Sequence, residues 1–384
     1  MKTFLKYTLA TITGIIISSI LFFLIMLAVL SSMMMAGDKP LAIKDNSVLV
    51  LKAGMAIPDQ GNSNPYSGID LINLTVTPAP GLNEILANIK KAETDTKIKG
   101  ILVENGIMPA GWATTDEIRN ALREFRKAGK FVIAYSDYLL LQEGFFLPTA
   151  ADRIFINPSS TVDFKGLSGE VMFYRKALEK LGVEVQVTRH GKFKGAVEPY
   201  ILDQLSPENK EQIRSYVGSI WSHVVESISE ERKISTEKLN ELADNLSAYL
   251  APGALEAGLV DGLLFRDELI DTLKIRAGLT TDDKIMMVPM HKYTKVPDSR
   301  KTAYSRDRIS VIYASGTIVM GKGSDANIGG NSFSDLIRKE RKDSSVKAIV
   351  LRVNSPGGNA IASDMIWREV ELAAKEKPVV ISMG

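Results

Sequence analysis

No cysteine occurs in this sequence, and histidine occurs only three times, as His190, His223 and His291, in no ligand-like spacing. Disulfide scaffolds and thiolate metal sites are thereby excluded, and zinc finds no donor set. No metal and no cofactor are expected. The absence of thiols leaves the compartment open, since Cys-free chains suit either side of a membrane. An excess of one charge is also missing. Net charge is +2, and no basic run carries interleaved aromatics, so nothing marks a nucleic-acid surface. From Tyr7 to Gly37 charge is missing altogether, and Ile12–Leu30 is almost wholly apolar, with Lys2 and Lys6 before it and Asp38 after. That uncharged stretch exceeds the roughly 20 residues needed to cross a bilayer, whereas a signal-peptide core needs about 7–15. Cleavage near Met35-Ala36-Gly37 is the lesser alternative. Lys2 and Lys6 favour a cytoplasmic N-terminus, which puts the body beyond residue 40 across the membrane.

What remains is an ordinary globular composition, 45% apolar and 24% charged over 384 residues, long enough for two domains. The chain also repeats itself. Ile98–Tyr135 lies without gaps on Val346–Met383: a basic residue, a short apolar run, a break, an amphipathic stretch, then a second apolar run. Upstream, Ser47–Ile57 has its counterpart in Ile309–Val319. The expected organisation is a membrane anchor at 1–40, a first unit at 41–282, a polar link at 283–308, and the start of a second unit at 309–384. Gln60–Pro80 reads as a surface loop. Gly81–Glu93 has helical periodicity through Leu82, Ile85, Leu86 and Ile89. Lys99–Val103, Lys130–Tyr135, Arg153–Ile156 and Glu184–Thr188 read as strands, with Val171–Leu181 helical. Thr114 and Glu117 form a capping box for a helix to Lys127. Ser206-Pro207 opens a long helix to about Arg232, and Gly258 ends another. Strands alternating with helices imply a mostly parallel α/β sheet.

Asn354-Ser-Pro-Gly-Gly358 follows an apolar strand and precedes a helical stretch. Two glycines at a strand end leave backbone N–H groups unshielded, the donors an oxyanion needs; a tight turn is the plainer reading. The first copy has Met108-Pro109-Ala110 there, without a glycine pair, so turn geometry alone does not explain the glycines. A lysine on the loop Gly191-Lys-Phe-Lys-Gly195, once buried, would serve as general base to a serine. Lys192 and Lys194 compete for that role, and an exposed loop lysine is the plainer reading. Gly316–Lys322 fails as a phosphate loop because Gly323 replaces the Ser/Thr and Thr-Ile-Val-Met is β-like. A triad through His190 lacks a Gly-x-Ser-x-Gly elbow. Tyr216 and Trp221 read as packing residues.

The anchor, the tandem unit, Lys194-Gly-Ala-Val-Glu-Pro199 with Asp203-Gln-Leu-Ser206, and Asn354-Ser-Pro-Gly-Gly358 followed by Val-Val-Ile-Ser-Met-Gly384 together resemble the bacterial signal peptide peptidase A (protease IV) family. The resemblance implies tandem Clp protease/crotonase-like ββα units, the second incomplete here, preceded by a single transmembrane helix. It implies a Ser/Lys dyad serine protease with Lys194 as general base and Gly357 and Gly358 as oxyanion donors. The nucleophilic serine is expected beyond Gly384, hence absent from the chain, which is then inactive alone with an exposed, idle Lys194. Hydrophobic signal peptides as substrates, membrane lipid around the anchor, a homotetramer and an inner-membrane, periplasm-facing location follow from the same resemblance. Two alternatives remain: a non-catalytic membrane scaffold or pseudoprotease, and a crotonase-type acyl-CoA enzyme, against which the anchor counts.

Overall fold

A computed structural model describes the chain except residues 1, 37–40, 53, 55, 62–68, 71–74, 77–79, 105–108, 299, 301–304 and 325. Most of the expected loop Gln60–Pro80 therefore lies outside the described residues, as does Met108.

Helix α1, Lys2–Ala36, forms one compact part with its surroundings, and Ile43–Thr294 with Asp298–Gly384 forms another. Within α1, Thr3–Ala28 has a mean hydropathy of 2.5, long and apolar enough to cross a membrane. The hydroxyls of Thr8, Thr11 and Thr13 donate to carbonyls four residues back, at 3.0, 2.9 and 2.9 Å. These side chains thus carry no unmet polar group into an apolar solvent.

The body contains two parallel sheets built by one rule. In the first repeat, β1 (Ser47–Lys52) is followed by α2 (Leu82–Thr94), β2 (Ile98–Glu104), α3 (Trp112–Lys127) and β3 (Phe131–Ser136). Next come β4 (Arg153–Ile156), α4 (Arg175–Lys180), α5 (Pro207–Arg232), β5 (Gly262–Leu263), α6 (Arg266–Arg276) and β6 (Met287–Pro289). The sheet order is β6-β1-β2-β3-β4-β5, every pair parallel. The second repeat supplies β7 (Arg308–Ser315), the short β8 (Thr317–Val319) and β9 (Asn327–Gly329), α7 (Gly330–Lys342), β10 (Val346–Asn354), α8 (Ala360–Glu376) and β11 (Val379–Met383). Its main sheet, β7-β10-β11, is also parallel. The architecture is α/β, as the alternating pattern requires.

Duplication reaches the irregularities. Both first strand pairs carry a bulge at the same place, after which Val48 pairs with Gly100 and Ile309 with Ala348. Val48 is therefore the equivalent of Ile309, one residue away from the alignment of Ser47 with Ile309 read from the sequence. A one-residue slip exchanges the two faces of a strand, and only the pairing with Gly100 and Ala348 fixes which register is the equivalent one. Lys130 donates to the carbonyls of Ala92 and Asp95 at the end of α2 (2.5 and 2.6 Å), and Lys377 to those of Glu340 and Asp343 at the end of α7 (2.9 and 2.5 Å). Each cation caps the negative end of a helix.

Several local expectations are corrected. Helix α3 starts at Trp112, after Gly111, so Thr114 is an interior, buried residue and no capping box forms. Trp112 packs on Phe146 with ring centroids 5.7 Å apart, which draws the helix start forward. Glu184–Thr188 pairs with no strand; the edges of the first sheet are already β5 and β6, and only Val185 and Val187 are half-buried. Helix α4 is shorter than Val171–Leu181 because Tyr174 turns to stack on Tyr200 and donates its N–H to the Pro199 carbonyl at 2.7 Å. Inside the stretch read as a link, Met287–Pro289 adds an edge strand to β1, and Met290 and Tyr293 are buried behind it.

Candidate functional site

The Lys194 loop is held by its own neighbours. Gly191 turns at φ +94°, and Gly195–Val197 forms a single 3-10 turn leading to Glu198. A Cβ at Gly195 would lie 2.3 Å from the Asn209 amide, so only glycine permits that approach. Glu198 is fully buried and accepts from the Ser206 N–H (3.0 Å), the Ser206 hydroxyl (2.6 Å) and the Asn209 amide (3.1 Å). Arg189 stands 3.6 Å from the same carboxylate. Burial works against the charged Glu198, but the Ser206 and Asn209 donors outweigh it and hold its pKa below the usual range. Ser206 meanwhile caps α5, accepting the Asn209 N–H at 3.2 Å. The spacing Lys-Gly-Ala-Val-Glu-Pro to Ser-Pro-x-Asn is thus a clamp that fixes the lysine loop on the start of a long helix.

The glycine pair is built by equally local contacts. Gly357 has φ +98°, and a Cβ at Gly358 would stand 2.1 Å from the Ile318 carbonyl oxygen. Turn geometry and close approach both demand glycine. The two donors are not equivalent. Gly357 gives its N–H to the Ser355 hydroxyl (3.1 Å), which in turn donates to the Gly316 carbonyl (2.6 Å). The Gly358 N–H has no acceptor among the described residues. Asn359 then caps α8 through Ala362 N–H at 3.0 Å, which sets the positive end of a helix directly after the turn.

The two motifs, far apart in sequence, meet at one cleft of about 860 Å³, lined by Lys194, Phe193, Leu205, Gln212 and, from the glycine turn, Pro356; Gly357 and Gly358 are not among its lining residues. Lys194 is exposed. Lys192 is not among the lining residues; His190 is, without a carboxylate partner among the described residues. No serine lines the cleft among those residues. Of the two packing candidates, Trp221 stacks near Phe164 (5.5 Å) and donates to Asn240 (2.8 Å), while Tyr216 is exposed. Sequence reasoning missed Arg189 and Asn209, whose roles appear only once the loop meets α5. The Ser206-x-x-Asn209 spacing at a helix start was the available signal.

Comparison with known proteins follows the same lines. Residues 124–280 match peptidase family S49. The chain is 33% identical over 379 residues to Protease 4 of Haemophilus influenzae, covering 94% of this chain and 61% of that protein. It is 33% identical over 350 residues to the chloroplastic serine protease SPPA of Arabidopsis thaliana (89% and 49%). It is 35% identical over 314 residues to Protease 4 of Salmonella typhi (79% and 50%). The chain spans about half to three-fifths of the length of these curated relatives. Parallel sheets flanked by helices agree with the Clp protease/crotonase-like fold of that peptidase family.

Proposed function

This chain is an S49-type relative of the Protease 4 proteins, and from that premise we propose that it is a membrane-anchored serine endopeptidase of the Ser/Lys type that degrades cleaved signal peptides. One observation carries the reading: Lys194 lines the same cleft as Pro356, the residue directly before the glycine pair. Lys194 is the general base, and Gly357 and Gly358 serve the oxyanion, Gly358 with its N–H ungiven. A lysine works as a base near neutral pH only when burial disfavours its ammonium form. Since Lys194 is exposed here, the proposal requires bound peptide or a neighbouring subunit to cover the cleft. Apolar walls, Val171 and Phe193 among them, suit extended hydrophobic peptides. The apolar α1 supports a single span in the inner membrane with the body on the periplasmic side. Exposed Met172, Leu181 and Phe193 support assembly, for which a homotetramer is proposed.

The test is hydrolysis of an apolar peptide ester by the native anchored enzyme in detergent. Lys194→Ala should lower kcat/KM by about 100-fold or more, and Lys192→Ala should leave it near wild type. Full activity of Lys194→Ala overturns the assignment. Among the described residues no serine lines the cleft. The same lack favours one second reading, a non-catalytic scaffold, which predicts peptide binding without hydrolysis in the native enzyme.

A further inference from the structure

Arg352 sits on β10, two residues before Asn354, and is only 7% exposed. A charged side chain in that place is costly to desolvate unless its partners are well arranged. Its partners come from both repeats. Nε donates to Asp59 at 3.1 Å, and one terminal nitrogen meets Glu117 at 2.7 Å, the Ser382 hydroxyl at 2.9 Å and the Met383 carbonyl at 3.3 Å. The other terminal nitrogen has no partner among the described residues. Asp59 is 3% exposed and also accepts from the Ser315 hydroxyl at 3.4 Å.

Ser315 ends β7, and the next residue, Gly316, connects to the glycine turn twice. Its N–H donates to the Asn354 carbonyl at 3.0 Å, and its carbonyl accepts from Ser355, whose hydroxyl receives the Gly357 N–H. The Gly384 N–H closes the edge by donating to the Val353 carbonyl at 2.8 Å. One guanidinium thus ties the ends of β10 and β11 to Asp59 and Glu117 of the first repeat, and Asp59 reaches the end of β7 through Ser315.

We propose that Arg352 is a positioning residue for the peptidase site: with Asp59 it holds the ends of the three strands level, so that the turn at Gly357-Gly358 keeps the geometry in which Gly358 N–H is free. This rests on the proposed peptidase reading only for its catalytic consequence; the mechanical coupling stands without it. Arg352 touches neither Lys194 nor the cleft, so its effect passes through the backbone.

The experiment uses the native enzyme with Arg352→Met, Arg352→Lys and the double variant Asp59→Leu/Arg352→Met. The double variant removes both buried charges together and is expected to recover the stability lost by Arg352→Met. Amide exchange of the peptides covering 354–359 and 379–384 should accelerate at least tenfold in Arg352→Met and stay fast in the double variant, with 131–136 unchanged. In the peptide ester assay, kcat should fall about tenfold or more at nearly constant KM in both variants, with partial recovery in Arg352→Lys. A double variant that regains wild-type exchange, and wild-type kcat along with its stability, overturns the proposal, because the role is then packing alone. If the wild-type enzyme hydrolyses no peptide, the peptidase reading fails while the exchange measurement still decides the coupling.

Discussion

The first sheet is buried on both faces, the second on one. Val48, Val50 and Leu102 point toward α6 and are buried with Leu269 and Leu273. Their equivalents through the shared bulge are Ile309, Val311 and Val350, of which Ile309 is 66% and Val311 47% exposed. The opposite face is packed in both, with Ile312, Ile349 and Leu351 of the second sheet lying among Ile337 and Ala373 of its helices. Parallel sheets are normally covered on both sides, so the two repeats differ in what covers them rather than in their strands. Charge follows the covering. At equivalent positions near the strand ends stand Glu104, paired with Arg266 and Lys52 near solvent, and Arg352, buried against Asp59. The same strand site takes opposite charges because in one repeat it meets a helix of its own sheet and in the other it meets the neighbouring repeat.

The largest contrast should come from those charges. Arg352→Met leaves Asp59 buried without its cation and should cost about 3–5 kcal/mol in a urea unfolding experiment. Glu104→Gln, whose partners Lys52 and Arg266 are 74% and 42% exposed, should cost at most about 1 kcal/mol. Equal losses would erase the distinction. Next come the turns. Gly358→Ala drives a Cβ into the Ile318 carbonyl and should cost about 2–4 kcal/mol. Ala110→Gly at the matching place should cost about 0.5–1 kcal/mol, chiefly through the unfolded chain.

A third comparison concerns packing between neighbouring strands. A Cβ at Gly100 would sit 2.3 Å from the Phe131 ring, whereas the second repeat puts Ala348 and Val379 at these places. Gly100→Ala should cost about 1–3 kcal/mol, and Phe131→Val should relieve part of it, seen as coupling in a double-mutant cycle. The smallest effect is acid dependence. Asp261 is opposed by burial, but Arg232 and the Ile154 N–H hold its pKa below the ordinary value. A lowered folded pKa stabilises above the unfolded value, near pH 4, and that stability is lost as pH falls through the folded value. Asp261→Asn should therefore flatten the decline in unfolding free energy below about pH 4, as read by urea midpoints across pH.

Much of the fold was legible because its signals are local. Apolar runs such as Lys99–Val103 and Phe131–Tyr135 are buried strands, and Ser206-Pro207 caps a long helix. Glu184–Thr188 misled because alternation reports a strand's faces and says nothing of whether a sheet edge is available to pair with it. Thr114 misled because the capping pattern was outcompeted by Trp112 packing on Phe146. At the candidate site, Lys194 and the glycine pair were nameable from sequence. That Lys194 and not Lys192 lines the cleft, and that a hydroxyl takes the Gly357 N–H, was not, since both depend on contacts between segments far apart in the chain or on side-chain direction.

Sequence alone determined the apolar N-terminal helix, the parallel α/β pattern and the return of one strand–helix–strand pattern, because each is written in residues near one another or in their periodic return. Tertiary structure alone decided which copy keeps a strand face dry, where Arg352 finds its carboxylates, and that Lys194 and Pro356, far apart in the chain, line one cleft. Those outcomes depend on long-range contacts, and contact between distant residues leaves no periodic trace in a single sequence.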